Sequence, residues 1–167
     1  MKGSFGMADR FRVTLAQLNP VVGDLAGNAA QARAAWEEGR EAGADLVALP
    51  EMFITGYNTQ DLVMKPAFHT EAIRQLRALA ADCADGPALA IGGPWVEGTE
   101  LYNAYVICRA GQIVSTVLKH HLPNDDVFDE GRVFDSGPRG GPTNKIIKQF
   151  AALSVFFIAK INNFCSR

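Results

Sequence analysis

Short unbroken apolar runs alternate along this chain with longer stretches whose apolar residues recur every three or four positions. Phe11 to Leu18 is a mostly apolar run closed by Asn19 and Pro20, which predicts a first strand ending in a turn. From Asn28, a residue suited to capping a helix, Ala29, Ala32, Trp36 and Gly39 advance at helical spacing while Arg33, Glu37 and Arg40 fall on the other side. Gly43 is placed to end that helix. Asp45 to Pro50 reads as a buried strand, and Ile73, Leu76, Ala80 and Cys83 form the stripe of a second helix, closed by Asp85, Gly86 and Pro87. Ala88 to Ile91 is a further buried strand, after which Gly92, Gly93 and Pro94 read as a turn. Leu101 to Cys108 and Ile113 to Leu118, joined across Arg109, Ala110, Gly111 and Gln112, have the form of a hairpin with a glycine-bearing turn. The order strand, helix, strand, helix, strand, hairpin predicts an α/β fold with a mixed sheet covered by helices on at least one face.

With 167 residues, 48% of them hydrophobic and 20% charged, the chain has enough material for one core. A formal charge of -2 offers no basic footprint for nucleic acid or an anionic membrane, so a small neutral or mildly polar ligand is expected. The cysteines, Cys83, Cys108 and Cys165, are odd in number and far apart, which argues for a reducing compartment and not a disulfide framework. No signal peptide or membrane span is apparent, and a cytoplasmic protein is expected.

The composition changes towards the end. All 18 acidic residues lie at or before Asp135, whereas Thr143 to Arg167 carries Lys145, Lys148, Lys160 and Arg167 and no acid. Arginine dominates the cations before the glycine- and proline-rich SGPRGGP segment, Ser136 to Pro142, and lysine those after it. Residues 143–167 are too few for a second core and read as an atypical basic and apolar tail, as a chain out of its original frame or truncated there would show.

Three stretches carry the candidate chemistry: LPEMFITGY around Glu51, LKHHLPNDDVFDEGRVF from Leu118 to Phe134, and AQLNPVVGDLAGN from Ala16 to Asn28. In this order they resemble the carbon-nitrogen hydrolase (nitrilase) superfamily, most closely the amino-terminal glutamine-hydrolysing domains of glutamine-dependent NAD synthetases. The resemblance implies an αββα sandwich, of which residues 1–142 would be a partial domain with its C-terminal part incomplete. It implies glutamine as the amide substrate, ammonia as a product for NAD synthesis, and a homo-oligomer. No cofactor is expected in such a domain, since ATP is used by a separate synthetase domain whose SGGxDS loop is absent from this sequence.

The resemblance also implies roles. Glu51 matches the general base and Lys119 the lysine that stabilises the oxyanion, while Tyr57 and Phe128 match glutamine-pocket positions and Glu130 a second carboxylate near the lysine. The chemistry needs these types: a cysteine thiolate attacks the amide carbonyl, a carboxylate takes the thiol proton and returns it to the departing ammonia, and a cation stabilises the tetrahedral intermediate. Where the family reads LPNYGVFDE this chain reads LPNDDVFDE, placing Asp125 at an aromatic position. No segment of the ICEDAW type follows Lys119, and the context of Cys165, NNFCSR, does not match it, so the nucleophile stays unassigned. Two alternatives follow: a non-catalytic truncated remnant, or an amidase of another nitrilase branch.

Other residues have simpler readings. His120 and His121 lie near Asp125, Asp126, Asp129 and Glu130, but neighbours on a strand point to opposite faces, so no metal site is expected. His69 is expected at the surface near a helix start, and Cys83 and Cys108 as small buried hydrophobes.

Overall fold

The computed structural model of the chain describes residues 11–124 and 128–139. Five strands form one mixed sheet: β1 (Val13–Leu15), β2 (Leu46–Ala48), β3 (Ala88–Glu97), β4 (Glu100–Arg109) and β5 (Gln112–Leu118), side by side in chain order. β1, β2 and β3 run parallel, which requires crossovers, and helices α1 (Leu25–Glu41) and α2 (Pro66–Asp82) provide them. β4 and β5 return antiparallel through tight turns. A short helix, α3 (Glu130–Val133), follows the sheet.

The core obeys the two periodicities of the sequence. Val47, Leu89, Ile91, Val106 and Cys108 point from one face of the sheet into Ala29, Ala32 and Trp36 of α1 and Ala72, Leu76 and Leu79 of α2. The alternate residues Leu46, Ala48, Ala88, Ala90 and Ile107 occupy the other face with Val13 and Tyr105. Both helices thus cover the same face. The expected Ile73 stripe is rotated slightly, with Ala72 and Leu79 buried and Ile73 half-buried. Among the described residues no helix is long and apolar enough to cross a membrane.

Two expectations are corrected. The first helix starts a turn before Asn28, because Asp24 caps it by accepting from the Gly27 N–H at 2.9 Å. Asn28 is fully buried inside α1 and works as a clamp: its Oδ1 accepts from the Val21 N–H at 2.9 Å, and its Nδ2 donates to the carbonyls of Val21 and Ile54 at 2.8 and 3.2 Å. Asn28→Ala is expected to cost about 1–3 kcal/mol in urea unfolding, since these buried backbone groups lose their partner.

The second correction concerns Gly92, Gly93 and Pro94, which lie inside β3 and make no turn. The chain reverses instead at Gly98, whose φ of 62° suits the tight Glu97–Glu100 hairpin. The two glycines serve close packing. A Cβ on Gly92 would lie 2.3 Å from the Met52 nitrogen and 2.6 Å from Glu51 Cα, and one on Gly93 would lie 2.6 Å from Ile54 Cγ2. β2 stops pairing at Ala48 opposite Ala90, so past that point β3 has no β2 neighbour, and Pro94 withdraws no needed donor from that side.

Candidate active site

The turn that follows β2 fills the space where β2 leaves the sheet. Met52, Phe53, Ile54 and Thr55 are all buried, and Met52 takes a left-handed φ of 50°. Gly92 pins this turn from both sides: its N–H donates to the Pro50 carbonyl at 3.2 Å, and its carbonyl accepts from the Ile54 N–H at 3.1 Å. Glu51 opens the turn and is therefore the one residue of the segment whose carboxylate can reach out past the sheet. Apolar residues on either side in sequence anchor the backbone, and the acid is left at the mouth.

Lys119 arrives from the other side. It follows β5 immediately and lies opposite Asn103 of β4, whose carbonyl accepts the Lys119 N–H at 2.9 Å. Its ammonium is 2.7 Å from Glu51 Oε1, across 68 positions of sequence. The same ammonium lies 2.8 Å from Glu130 Oε2, so it bridges the two carboxylates. Glu130 opens α3, which is anchored by Val133 and the following Phe134 in a cluster with Met52 and Val63. Arg132 ties α3 to its own cap residue, with Nε 2.6 Å from Asp129 Oδ2, and to the turn before α2, with Nη1 2.6 Å from Asp61 Oδ1.

Tyr57 closes the third side. Its hydroxyl donates to Glu130 Oε1 at 2.9 Å, and its ring faces that of Phe128 with centroids 6.2 Å apart. All five residues singled out in the sequence, Glu51, Tyr57, Lys119, Phe128 and Glu130, thus meet in one place. Asp125 and Asp126 lie outside the described residues.

Electrostatics follow from this crowding. Burial alone would depress the Lys119 ammonium, but Glu51 and Glu130 more than offset it and hold its pKa above the ordinary lysine value. Burial, and then the Glu130 carboxylate, push the Tyr57 phenol well above its usual range, so it remains a donor. The cluster is an ammonium between two carboxylates, with a phenol on the far one. It can move a proton at Glu51 and place positive charge beside a developing oxyanion.

Sequence reasoning missed Asn103, which is 2% exposed and donates from Nδ2 to Glu51 Oε1 at 2.7 Å. The signal was a polar amide amid the strand residues LYNAY. It also missed that the glycines of β3 make room for the Glu51 turn. Cys83 and Cys108 are buried in the helix-facing core, where burial pushes their thiols up to about 11 and about 12. His69 is half-buried near the start of α2, its Nδ1 3.0 Å from the Val63 carbonyl. His120 and His121 lie past the end of β5, so the strand argument about their directions does not apply. Their rings meet edge-on at 4.7 Å, and His120 Nδ1 lies 2.5 Å from the Gly137 carbonyl. Among the described residues no group of histidine, cysteine and acidic side chains has the arrangement to hold a metal ion. A cleft of about 220 Å³ lies beside Glu130 and is lined by Asn58, Thr59 and α3. Two further hollows among the described residues, of about 580 and 400 Å³, flank Trp95 and Arg77 away from this cluster.

The carbon-nitrogen hydrolase family matches residues 12–156 of the chain. The chain belongs to that family. Among curated relatives, the glutamine-dependent NAD(+) synthetase of Rhodobacter capsulatus is 63% identical over 136 residues, covering 81% of the chain and 25% of the relative. That of Thermotoga maritima is 37% identical over 128 residues, covering 77% and 22%. The chain thus spans about a quarter of the length of the curated relatives it matches. Of solved structures, the glutamine-dependent NAD(+) synthetase of Cytophaga hutchinsonii superposes with a TM-score of 0.74 at 29% identity, covering 78% of the chain and 22% of that protein. An amidase from Nesterenkonia sp. superposes with a TM-score of 0.68 at 25% identity, covering 83% and 54%. The fold of the chain is accordingly nitrilase-like, with the described residues supplying one sheet and its helical layer.

Proposed function

We propose that the cluster is the acid–base half of a glutamine-hydrolysing centre that supplies ammonia for NAD synthesis. The observation that carries the reading is the meeting of Glu51 and Lys119 at 2.7 Å from strand ends 68 residues apart. In this reading a cysteine thiol adds to the side-chain carbonyl of glutamine while Glu51 takes its proton. Lys119 stabilises the oxyanion, and collapse breaks the C–N bond as Glu51 returns the proton to the leaving ammonia. Water then attacks the thioester, with Glu51 as base, and releases glutamate and the thiol. Glu130 keeps the ammonium placed, and Tyr57 and Phe128 wall the substrate. ATP has no part here and belongs to the synthetase step of the longer relatives. The likeness to the synthetase of Rhodobacter capsulatus, far above that to the amidase, favours this branch over other amides.

The second reading is a domain that bears this half-site without turning over. It is favoured by the two described thiols being buried with raised pKa, which leaves Cys165, outside the described residues, as the chain's remaining cysteine. Ammonia release from glutamine, measured on the 167-residue chain, Glu51→Gln and Cys165→Ala, separates the two. The first reading expects release that falls by about two to four orders of magnitude in Glu51→Gln. Loss in Cys165→Ala as well would place the nucleophile there. No release from folded chain selects the second reading, and an unchanged rate in Glu51→Gln overturns the first.

A further inference from the structure

We propose that Asn103 is a positioning residue of this centre: it holds Oε1 of Glu51 so that Oε2 is the oxygen that exchanges the proton. The proposal rests on the reading of Glu51 as the base. Two donors converge on Oε1, Asn103 Nδ2 and Lys119 Nζ, each at 2.7 Å. Among the described residues no donor reaches Oε2, although the Glu51 side chain is 27% exposed and open to an incoming group.

The chemistry explains why a second donor is needed beside the lysine. Lys119 is shared between Glu51 and Glu130, and it is also the cation on which a developing oxyanion would draw. As its ammonium turns to that oxygen, its hold on Glu51 weakens, at the moment when the acid must return its proton along a fixed path. Asn103 has no such second duty. Its amide is neutral, so it orients the carboxylate without competing for the charge of Lys119, and an ionised carboxylate accepts only, which fixes the amide nitrogen as the group facing it.

Its backbone ties the same two residues together. The Asn103 carbonyl accepts the Lys119 N–H at 2.9 Å, so one position on β4 sets both the acid and the lysine. Nothing in the packing of β4 calls for an amide here. The buried residues that follow it on β4, Ala104, Val106, Ile107 and Cys108, are apolar, and a buried amide is costly unless it is bonded.

The test uses the isotope-labelled 167-residue chain and solution NMR. One side-chain amide proton of Asn103 is expected far downfield in wild type and to move upfield in Glu51→Gln. In Asn103→Leu, which keeps volume and removes the donor, the Glu51 carboxyl carbon is expected to shift and the Lys119 ammonium protons to exchange on the order of tenfold faster. Asn103→Ser, which keeps a donor, should fall between and serves as the informative variant if Asn103→Leu does not fold. A side chain that only packs would lower the melting temperature and leave the Glu51 and Lys119 resonances in place, which would overturn the proposal. Failure of the underlying reading looks different: these resonances would respond as expected while glutamine hydrolysis stayed unchanged in Glu51→Gln.

Discussion

Lys119→Met is expected to destabilise the fold by about 3–5 kcal/mol, the loss typical of breaking a buried pair and leaving its partner charged. Glu130 is 5% exposed and its Oε2 lies 2.8 Å from the ammonium, so without Lys119 it faces Glu51 across the same space with no counter-ion. Lys119→Met combined with Glu130→Gln is expected to recover much of the loss, because a neutral amide needs no cation and still accepts from Tyr57. The effect has a pH signature whose sign follows from the raised ammonium pKa. The folded chain holds that proton more tightly than the unfolded chain, so the contribution is complete below the unfolded lysine value of about 10.4 and fades as pH rises through the folded value. Urea unfolding of wild type and variant should differ by a constant amount between about pH 6 and pH 9 and converge at higher pH. A gap that vanishes at neutral pH would contradict the pair.

The second large effect is expected at Gly92. The methyl of Gly92→Ala would meet backbone atoms, the Met52 nitrogen at 2.3 Å and Glu51 C and Cα at 2.6 Å, and backbone in a buried turn cannot yield as a side-chain tip does. Overpacking of this kind costs about 1–3 kcal/mol or more. It also displaces the acid, and a shift of about 1 Å in a reacting group can cost on the order of a hundredfold in rate. Gly93→Ala is the matched control, since its methyl meets the side chains of Ile54 and Leu76. Thermal scans should rank Gly92→Ala below Gly93→Ala, and, under the proposed function, glutamine hydrolysis should fall much further in the former. Equal effects would remove Gly92 from the support of Glu51.

Much of this was legible in the sequence because the helices and buried strands carry their own periodicity. Trp36 and its neighbours at helical spacing mark α1, and the runs before Pro50 and after Pro87 mark β2 and the start of β3. What failed were positions where local propensity and tertiary packing disagree. Asn28 has the side chain of a helix cap, yet a loop twenty-six residues away needs its amide more than the helix end does. Gly92, Gly93 and Pro94 have the composition of a turn, yet the space they leave is taken by the Glu51 segment, a contact no local window contains. The residue types of the site were picked out through the family resemblance, and Tyr57, Phe128 and Glu130 lie together beside Lys119, while their roles belong to the proposal. Asn103 was not, because one polar residue in a strand does not disclose which strand end lies opposite. Cys165 and the basic tail lie outside the described residues.

Glu51 and Lys119 meet at 2.7 Å, and a double-mutant cycle reads that contact as an energy. Unfolding free energies of wild type, Glu51→Gln, Lys119→Met and the double variant at neutral pH are expected to give a coupling of about 1–3 kcal/mol, as for residues in one partly buried ionic network. Additive single losses, with a coupling indistinguishable from zero, would mean that the acid and the ammonium do not meet, and the account of the site would be wrong.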